Sequence, residues 1–224
     1  SSDLQIDRGV VGFLSLAFFF YAIAHLNLGS AMTLNYTSPI FLGFFLPFIS
    51  HQKIKKSILM CTIIGFIGAL LILDPQGEWQ SWFAGLVGLI SGIGAALAYI
   101  HVIQLSRLNE PDWRTVFYFT LVSTVGSGLW ISFNDCQNLA WNDMWILIPL
   151  GFSATIAQIA MTRAYRLGNS LVIGALSYLT IVFSGVISLL YFNETMRIED
   201  VLGAILIIAS GAIASNISLK SRVN

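Results

Sequence analysis

The sequence predicts an all-α polytopic membrane protein with eight transmembrane helices in this chain. Three observations carry that expectation. The 224 residues are 56% apolar and only 10% charged, and mean hydropathy is +0.80. Soluble domains carry about 25% charged residues. The apolar residues lie in runs long enough to cross a bilayer, which takes roughly 20 residues. The cationic residues fall almost entirely between alternate runs.

The predicted spans are 9–26, 31–50, 57–73, 81–107, 114–133, 144–165, 171–192 and 201–218. Backbone groups in lipid must be satisfied within the segment, and no barrel-like alternation is visible, so each span reads as a helix. Arg8 precedes the first span. Lys53, Lys55 and Lys56 follow the second, Arg107 and Arg114 the fourth, Arg163 and Arg166 the sixth, and Lys220 and Arg222 the eighth. Ten of the eleven cationic residues thus share one side, and Arg197 alone lies opposite, among Asp74, Glu78, Asp135, Asp143, Glu194, Glu199 and Asp200. Cationic residues mark the cytoplasmic face, so both ends are expected there. Arg163 is expected to snorkel to the headgroups. Trp79, Trp82, Trp130, Trp141 and Trp145 fall near the opposite interface and Trp113 near the cytoplasmic one, where aromatic belts sit.

Within the second span, Pro39 is expected to bend the helix near the midplane. Gly85, Gly88, Gly92 and Ala96 place small residues on one face of the fourth span. Gly65 and Gly68 in the third resemble Gly203 and Gly211 in the eighth. Small residues let helix backbones approach closely in lipid. Cys61 and Cys136 are expected to be structural thiols with no disulfide between them.

The spans repeat. Residues 9–50 form two apolar runs joined by a tight corner at Asn27–Ser30, and residues 144–192 repeat that plan around Arg166–Ser170. Each hairpin is followed by one more Gly-containing run, at Ile58–Leu73 and Val201–Ser218. The offset is about 140 residues. Residues 81–218 hold five spans, of which only the last three have counterparts in residues 9–73. Two helices completing the first copy are therefore expected before Ser1. An odd number of spans per copy would put the copies in opposite orientations. Such repeats point to transporters.

At these residues a resemblance emerges. Ala24-His25-Leu26-Asn27-Leu28-Gly29-Ser30-Ala31 with Thr37-Ser38-Pro39-Ile40-Phe41 stands in the first copy. Arg163-Ala164-Tyr165-Arg166-Leu167-Gly168-Asn169-Ser170 with Leu176-Ser177-Tyr178-Leu179, then Asn193-Glu194-Thr195, stands in the second. This pattern resembles the EamA branch of the drug/metabolite transporter superfamily. The resemblance implies an inverted five-plus-five repeat, with residues 1–75 as a partial first repeat of three helices and 76–224 as a second repeat of five. It also implies export or exchange of amino acids, nucleotide-derived metabolites, vitamins or sugars. One departure is plain: where the second copy has Asn193-Glu194, the first reads Ser50-His51-Gln52-Lys53.

No metal signature, nucleophile elbow or phosphate loop appears, so no catalytic residue, cofactor or metal site is expected. The expected function is a secondary transporter of the inner or plasma membrane, moving a small polar or amphipathic metabolite by alternating access. An uncoupled facilitator or exchanger and an integral-membrane enzyme on a lipid-like substrate stay open as alternatives. Expected partners are a small-molecule substrate and membrane lipid, with a homodimer as a further candidate and no nucleic acid. Polar residues at depth usually face the bundle or a watery cavity. On that ground Asn35, Tyr36, Tyr99, His101, Gln158, Ser177, Tyr178 and Thr180 are the substrate-cavity candidates. Tyr36 is expected to close the external path and Tyr178 the internal one. With no acidic residue at mid-depth, weak proton coupling is expected.

The charge asymmetry makes a direct prediction. Single cysteines at Lys55 and at Asn138 should react with a membrane-impermeant maleimide from opposite sides of sealed vesicles, and reaction from the same side would contradict the topology.

Overall fold

The computed structural model describes residues 2–50, 54–75, 82–133, 141–192 and 197–223. Cys136, Asn193 and Glu194 lie outside them. Ten α-helices and one short 3₁₀ turn account for almost all of the described residues, and no strand occurs among them. They are α1 (Ser2–His25), α2 (Leu28–Asn35), α3 (Ser38–Ser50), α4 (Lys56–Leu73), α5 (Trp82–Arg107), α6 (Asp112–Phe133), α7 (Met144–Leu167), α8 (Ser170–Ser177), α9 (Leu179–Phe192) and α10 (Ile198–Val223). Taken as α2 with α3 and α8 with α9, they make eight apolar spans. Two of the expected continuous helices are therefore each two helices.

The breaks have local causes. Pro39 has no N–H to give back to the chain one turn earlier. The α2 helix ends at Asn35, and α3 starts at Ser38, one residue before that proline. At the junction the Leu34 carbonyl accepts from both the Thr37 hydroxyl, at 2.5 Å, and the Thr37 N–H, which satisfies an acceptor at the end of α2. Between α8 and α9 there is no proline. There Ser177 Oγ bonds the Gly174 carbonyl at 2.7 Å, a back-bond that bends helices. Both short helices begin on an asparagine cap. Asn27 accepts from the Ser30 N–H at 2.7 Å, and Asn169 accepts from the Leu171 and Val172 N–H groups.

Helix α1 differs from the expected first span. It begins at Ser2, so Arg8 lies nearly two turns inside it. Its buried residues are Gln5, Arg8, Gly9, Ser15 and Ala22, while Ile6, Val10, Leu14, Leu16, Phe18 and Phe20 are exposed. Polar and small residues face inward and large apolar ones outward, as a lipid solvent requires. The helix lies along α5 and against α6. The hydroxyl of Ser15 donates to the Ser91 carbonyl of α5 at 2.8 Å.

On α5 the stripe of Gly85, Gly88, Gly92 and Ala96 is buried, as the spacing predicts. A Cβ at Gly92 would stand 2.6 Å from the Leu34 carbonyl, so α5 crosses the α2–α3 break at backbone contact. Helices α4 and α10 form the second close crossing. A Cβ on Gly68 would stand 2.6 Å from the Gly203 carbonyl, and one on Gly203 would stand 2.5 Å from the Gly68 carbonyl. Between these crossings, α8 packs against α3, α4 and α10. Cys61 is a buried free thiol in the cluster of Ile58, Leu171, Val172 and Ala214.

At the two faces, charge is paired locally. Arg166 meets Asp112 at 2.9 Å and bonds the Glu110 carbonyl, while Arg114 meets Glu110 at 3.0 Å. On the other face Arg197 bonds Asp74 at 2.6 Å and Asp200 at 3.3 Å, tying the end of α4 to the start of α10. The two carboxylates hold the Arg197 pKa above its ordinary value, chiefly through the Asp74 hydrogen bond. This pairing accounts for the one cation on the acidic face. Arg163 is exposed, consistent with headgroup contact, and Trp82, Trp113, Trp130, Trp141 and Trp145 are exposed.

The α4–α10 crossing can be tested by adding one methyl group. Gly68→Ala puts a carbon against a backbone oxygen and should lower stability by about 1–3 kcal/mol. Gly128→Ala, where a Cβ meets nothing within 4 Å, should leave the thermal transition in detergent unchanged or slightly raised.

Candidate functional site

The two interrupted helices meet at Tyr36 and Tyr178. Each tyrosine stands nine residues from the asparagine capping its own helix, which is about 13 Å of helical rise. The corners at Asn27 and Asn169 lie on opposite faces, so equal depth from each face brings both rings to mid-depth. Their ring centroids are 6.0 Å apart. The Tyr178 hydroxyl donates to the Tyr36 carbonyl at 3.2 Å, across 142 positions of chain. Phe66 adds a third ring at 6.2 Å from Tyr178. Gly65 makes room for it: a Cβ there would stand 2.9 Å from the Tyr178 ring. Tyr178 is fully buried. The Tyr36 hydroxyl pairs with the side chain of Thr180. Tyr36 and Tyr178 therefore meet in one layer in this structure.

On one side of this layer lies a cavity of about 810 Å³. Met32, Tyr36, Ile72, Thr180, Ser184 and Gly185 contribute to its wall, which extends to Arg197 and Asp200 on the acidic face. On the basic face a smaller cavity of about 290 Å³ is lined by Ile103, Ser106, Arg107, Tyr165, Arg166 and Asn169. Tyr165 closes its inner end by stacking on Tyr99, with ring centroids 5.0 Å apart and planes 22° apart. Tyr36–Tyr178 and Tyr99–Tyr165 are thus two aromatic layers among the described residues, each bordering a cavity.

The remaining candidates divide. Gln158 Oε1 accepts from Arg8 Nη2 at 3.2 Å, joining α7 to α1. His101 lies within electrostatic range of Asp7 and Arg8, and its Nδ1 is buried without a hydrogen-bond partner. Tyr99 lies within range of Arg8. Asn35 instead bonds the Ser91 hydroxyl at 3.1 Å and holds α2 on α5. Ser177 bonds its own helix. The eight candidates therefore form a group around Tyr36, Tyr178 and Thr180, a second around Tyr99, His101 and Gln158, and two helix ties. Among the described residues, no cluster of three or more His, Cys, Asp or Glu is placed to hold a metal ion.

Sequence reasoning missed Arg8, taking it for an interfacial charge before the first span. The signal was present in the spacing: Gln5, Arg8, Gly12 and Ser15 follow a three-four-three pattern and share one helical face.

The model of the EamA-like transporter family matches residues 6–74 and 82–216. The chain belongs to this family. Similar proteins with names include a pseudopaline exporter of Pseudomonas aeruginosa, 29% identical over 92% of this chain and 72% of the relative. A riboflavin transporter of Brucella anthropi is 23% identical over 92% of this chain and 74% of its own length. An S-adenosylmethionine uptake transporter of Rickettsia prowazekii is 20% identical over 92% and 69%. A solved crystal structure superposes with a TM-score of 0.77 at 17% identity, covering 95% of this chain and 86% of that one, and so shares the fold. This EamA-family chain is thus a multi-pass membrane transporter of the drug/metabolite type and not an enzyme.

The tyrosine layer predicts an asymmetry between its two members. Tyr178→Phe removes a buried hydroxyl bond and should cost about 1 kcal/mol, while Tyr178→Ala should cost about 3–5 kcal/mol. Tyr36→Phe keeps the carbonyl acceptor and loses only the pairing of a half-buried hydroxyl with Thr180, so its thermal transition in detergent should fall less than that of Tyr178→Phe.

Proposed function

We propose that the protein is a secondary transporter moving a small polar or amphipathic metabolite by alternating access, with the Tyr36–Tyr178 layer separating the two access routes. The observation that carries this reading is the contact of two residues 142 positions apart, each nine residues past an asparagine cap, beneath a cavity on the acidic side. A barrier made by both copies opens when the copies rock relative to each other. Residues 1–75 then form a partial first repeat and 76–224 the second, in inverted orientation. The basic face is the cytoplasmic one, by the bias of Lys and Arg. Asn35, Tyr36, Tyr99, His101, Gln158, Ser177, Tyr178 and Thr180 border or position the path. The named relatives carry pseudopaline, riboflavin and S-adenosylmethionine according to their names. They support a metabolite of that size range without fixing which.

Uncoupled exchange is a second reading, favoured by one observation. No Asp or Glu stands among the fully buried polar residues described, so those residues offer no carboxylate at depth to carry a proton.

Counterflow in proteoliposomes tests the proposal. Preloaded vesicles should accumulate one labelled solute from a panel of amino acids, vitamins and nucleosides, above protein-free vesicles. A cysteine at Ser184 should react with an impermeant maleimide only from the Arg197 side, and the transported solute should slow that reaction. Reaction from both sides at equal rate, or no solute moved, would overturn alternating access.

A further inference from the structure

Among the described residues, Arg8 is a buried cation whose donors are largely unmet. It is 3% exposed, within a helix that otherwise turns apolar side chains outward. Arginines near a helix end ordinarily snorkel back toward the headgroups. Arg8 does the reverse. A Cβ on Gly12, one turn further into the membrane, would stand 3.1 Å from Arg8 Nη1, so the side chain reaches inward along the glycine face. The guanidinium carbon lies 4.0 Å from the centre of the Phe119 ring of α6. Nη2 donates to Gln158 Oε1 on α7. Nε and Nη1 are buried with no hydrogen-bond partner. The ion pairs of the described residues do not include Arg8.

A guanidinium carries five N–H donors. Here one neutral amide and one aromatic face compensate it, leaving the Nε and Nη1 hydrogens without acceptors. Burying a charge so incompletely is costly. The groups around it repeat the pattern. Both polar atoms of Gln5, one turn away on the same face, are buried without partners, as are His101 Nδ1 and, one turn beyond Gln158 on α7, Thr162 Oγ1. These are unmet donors and acceptors grouped around one uncompensated positive charge. That is the complement of a small anion bearing further polar groups.

We propose that Arg8 is the anion-recognition residue of the transport path and receives a carboxylate of the solute, with Gln5 and Gln158 as neighbouring polar contacts. This inference rests on the transport reading above. Charge matching selects a carboxylate: one uncompensated cation balances one monoanion, whereas a phosphate monoester dianion would leave buried negative charge. Arginine also suits a planar carboxylate geometrically. The Tyr99–Tyr165 stack separates this cluster from the basic-face cavity, so the anion reaches Arg8 when that layer parts.

The test compares the purified wild-type protein with carboxylates and their neutral amides at matched ionic strength. The probes are propionate with propionamide, L-lactate with L-lactamide and L-glutamate with L-glutamine, and inorganic phosphate forms a separate arm. At least one carboxylate should raise the thermal transition above its amide. Its affinity should fall about ten- to a hundredfold in Arg8→Gln, as loss of a charge-assisted bond implies, and less in Arg8→Lys. The proposal is overturned if no carboxylate exceeds its amide, if the effect persists undiminished in Arg8→Gln, or if phosphate outcompetes every carboxylate. Should Arg8→Gln fail to fold, the wild-type pairs together with Arg8→Lys decide. Counterflow of the stabilising carboxylate separates the two readings. Binding without movement keeps the Arg8 assignment and rejects transport, and movement of neutral solutes alone does the opposite.

Discussion

The Tyr178 hydroxyl, on a fully buried side chain, donates to the Tyr36 carbonyl at mid-depth. That carbonyl is available because α2 ends there, and α2 ends there because Pro39 follows. The bond therefore joins the defect of one interrupted helix to the side chain at the defect of the other. Around it Gly92 lets α5 approach the α2–α3 break at backbone distance, and Gly65 of α4 leaves room for the Tyr178 ring. A bulkier residue at either place would hold the broken segments apart and leave their polar groups facing hydrocarbon.

The Gly68–Gly203 crossing backs this centre from behind. In lipid no hydrophobic force drives α4 onto α10, so close approach and dispersion must supply the attraction. Mutual backbone contact at two glycines does so, and the Arg197 bridge to Asp74 and Asp200 closes the end of the same pair. The short helices α8 and α9 pack against α4 and α10, whereas α2 is held chiefly on α5.

Much of this was legible in residues. Run lengths and the cation pattern gave eight spans, and the glycine stripe of α5 is buried as its spacing implied. Equal distances from Asn27 to Tyr36 and from Asn169 to Tyr178 held the meeting of the two rings, but that follows only once the copies are set antiparallel and the depths compared. Arg8 was hidden for a different reason. A cation beside an apolar run matches an interfacial anchor and a buried charge equally well. The choice depends on Gln158 and Phe119, far away in the chain, and on the missing side chain at Gly12. Asn35 and Ser177 tie helices in this structure, Asn35 to Ser91 of α5 and Ser177 to its own helix, a contact between chain-distant residues that the residue types alone do not announce.

The distance along the chain between Arg8 and Gln158, 150 positions, has a consequence for biosynthesis. A nascent α1 enters the membrane with its charged face formed and its amide partner not yet translated. Phe119 arrives earlier, on α6, so the aromatic face can shelter the guanidinium before the hydrogen bond exists. An α1 alone in lipid would turn this charge back to the headgroups by snorkelling. The inward reach of Arg8 is therefore set only after Phe119 and Gln158 have arrived, and a contact central to the fold is made late in synthesis.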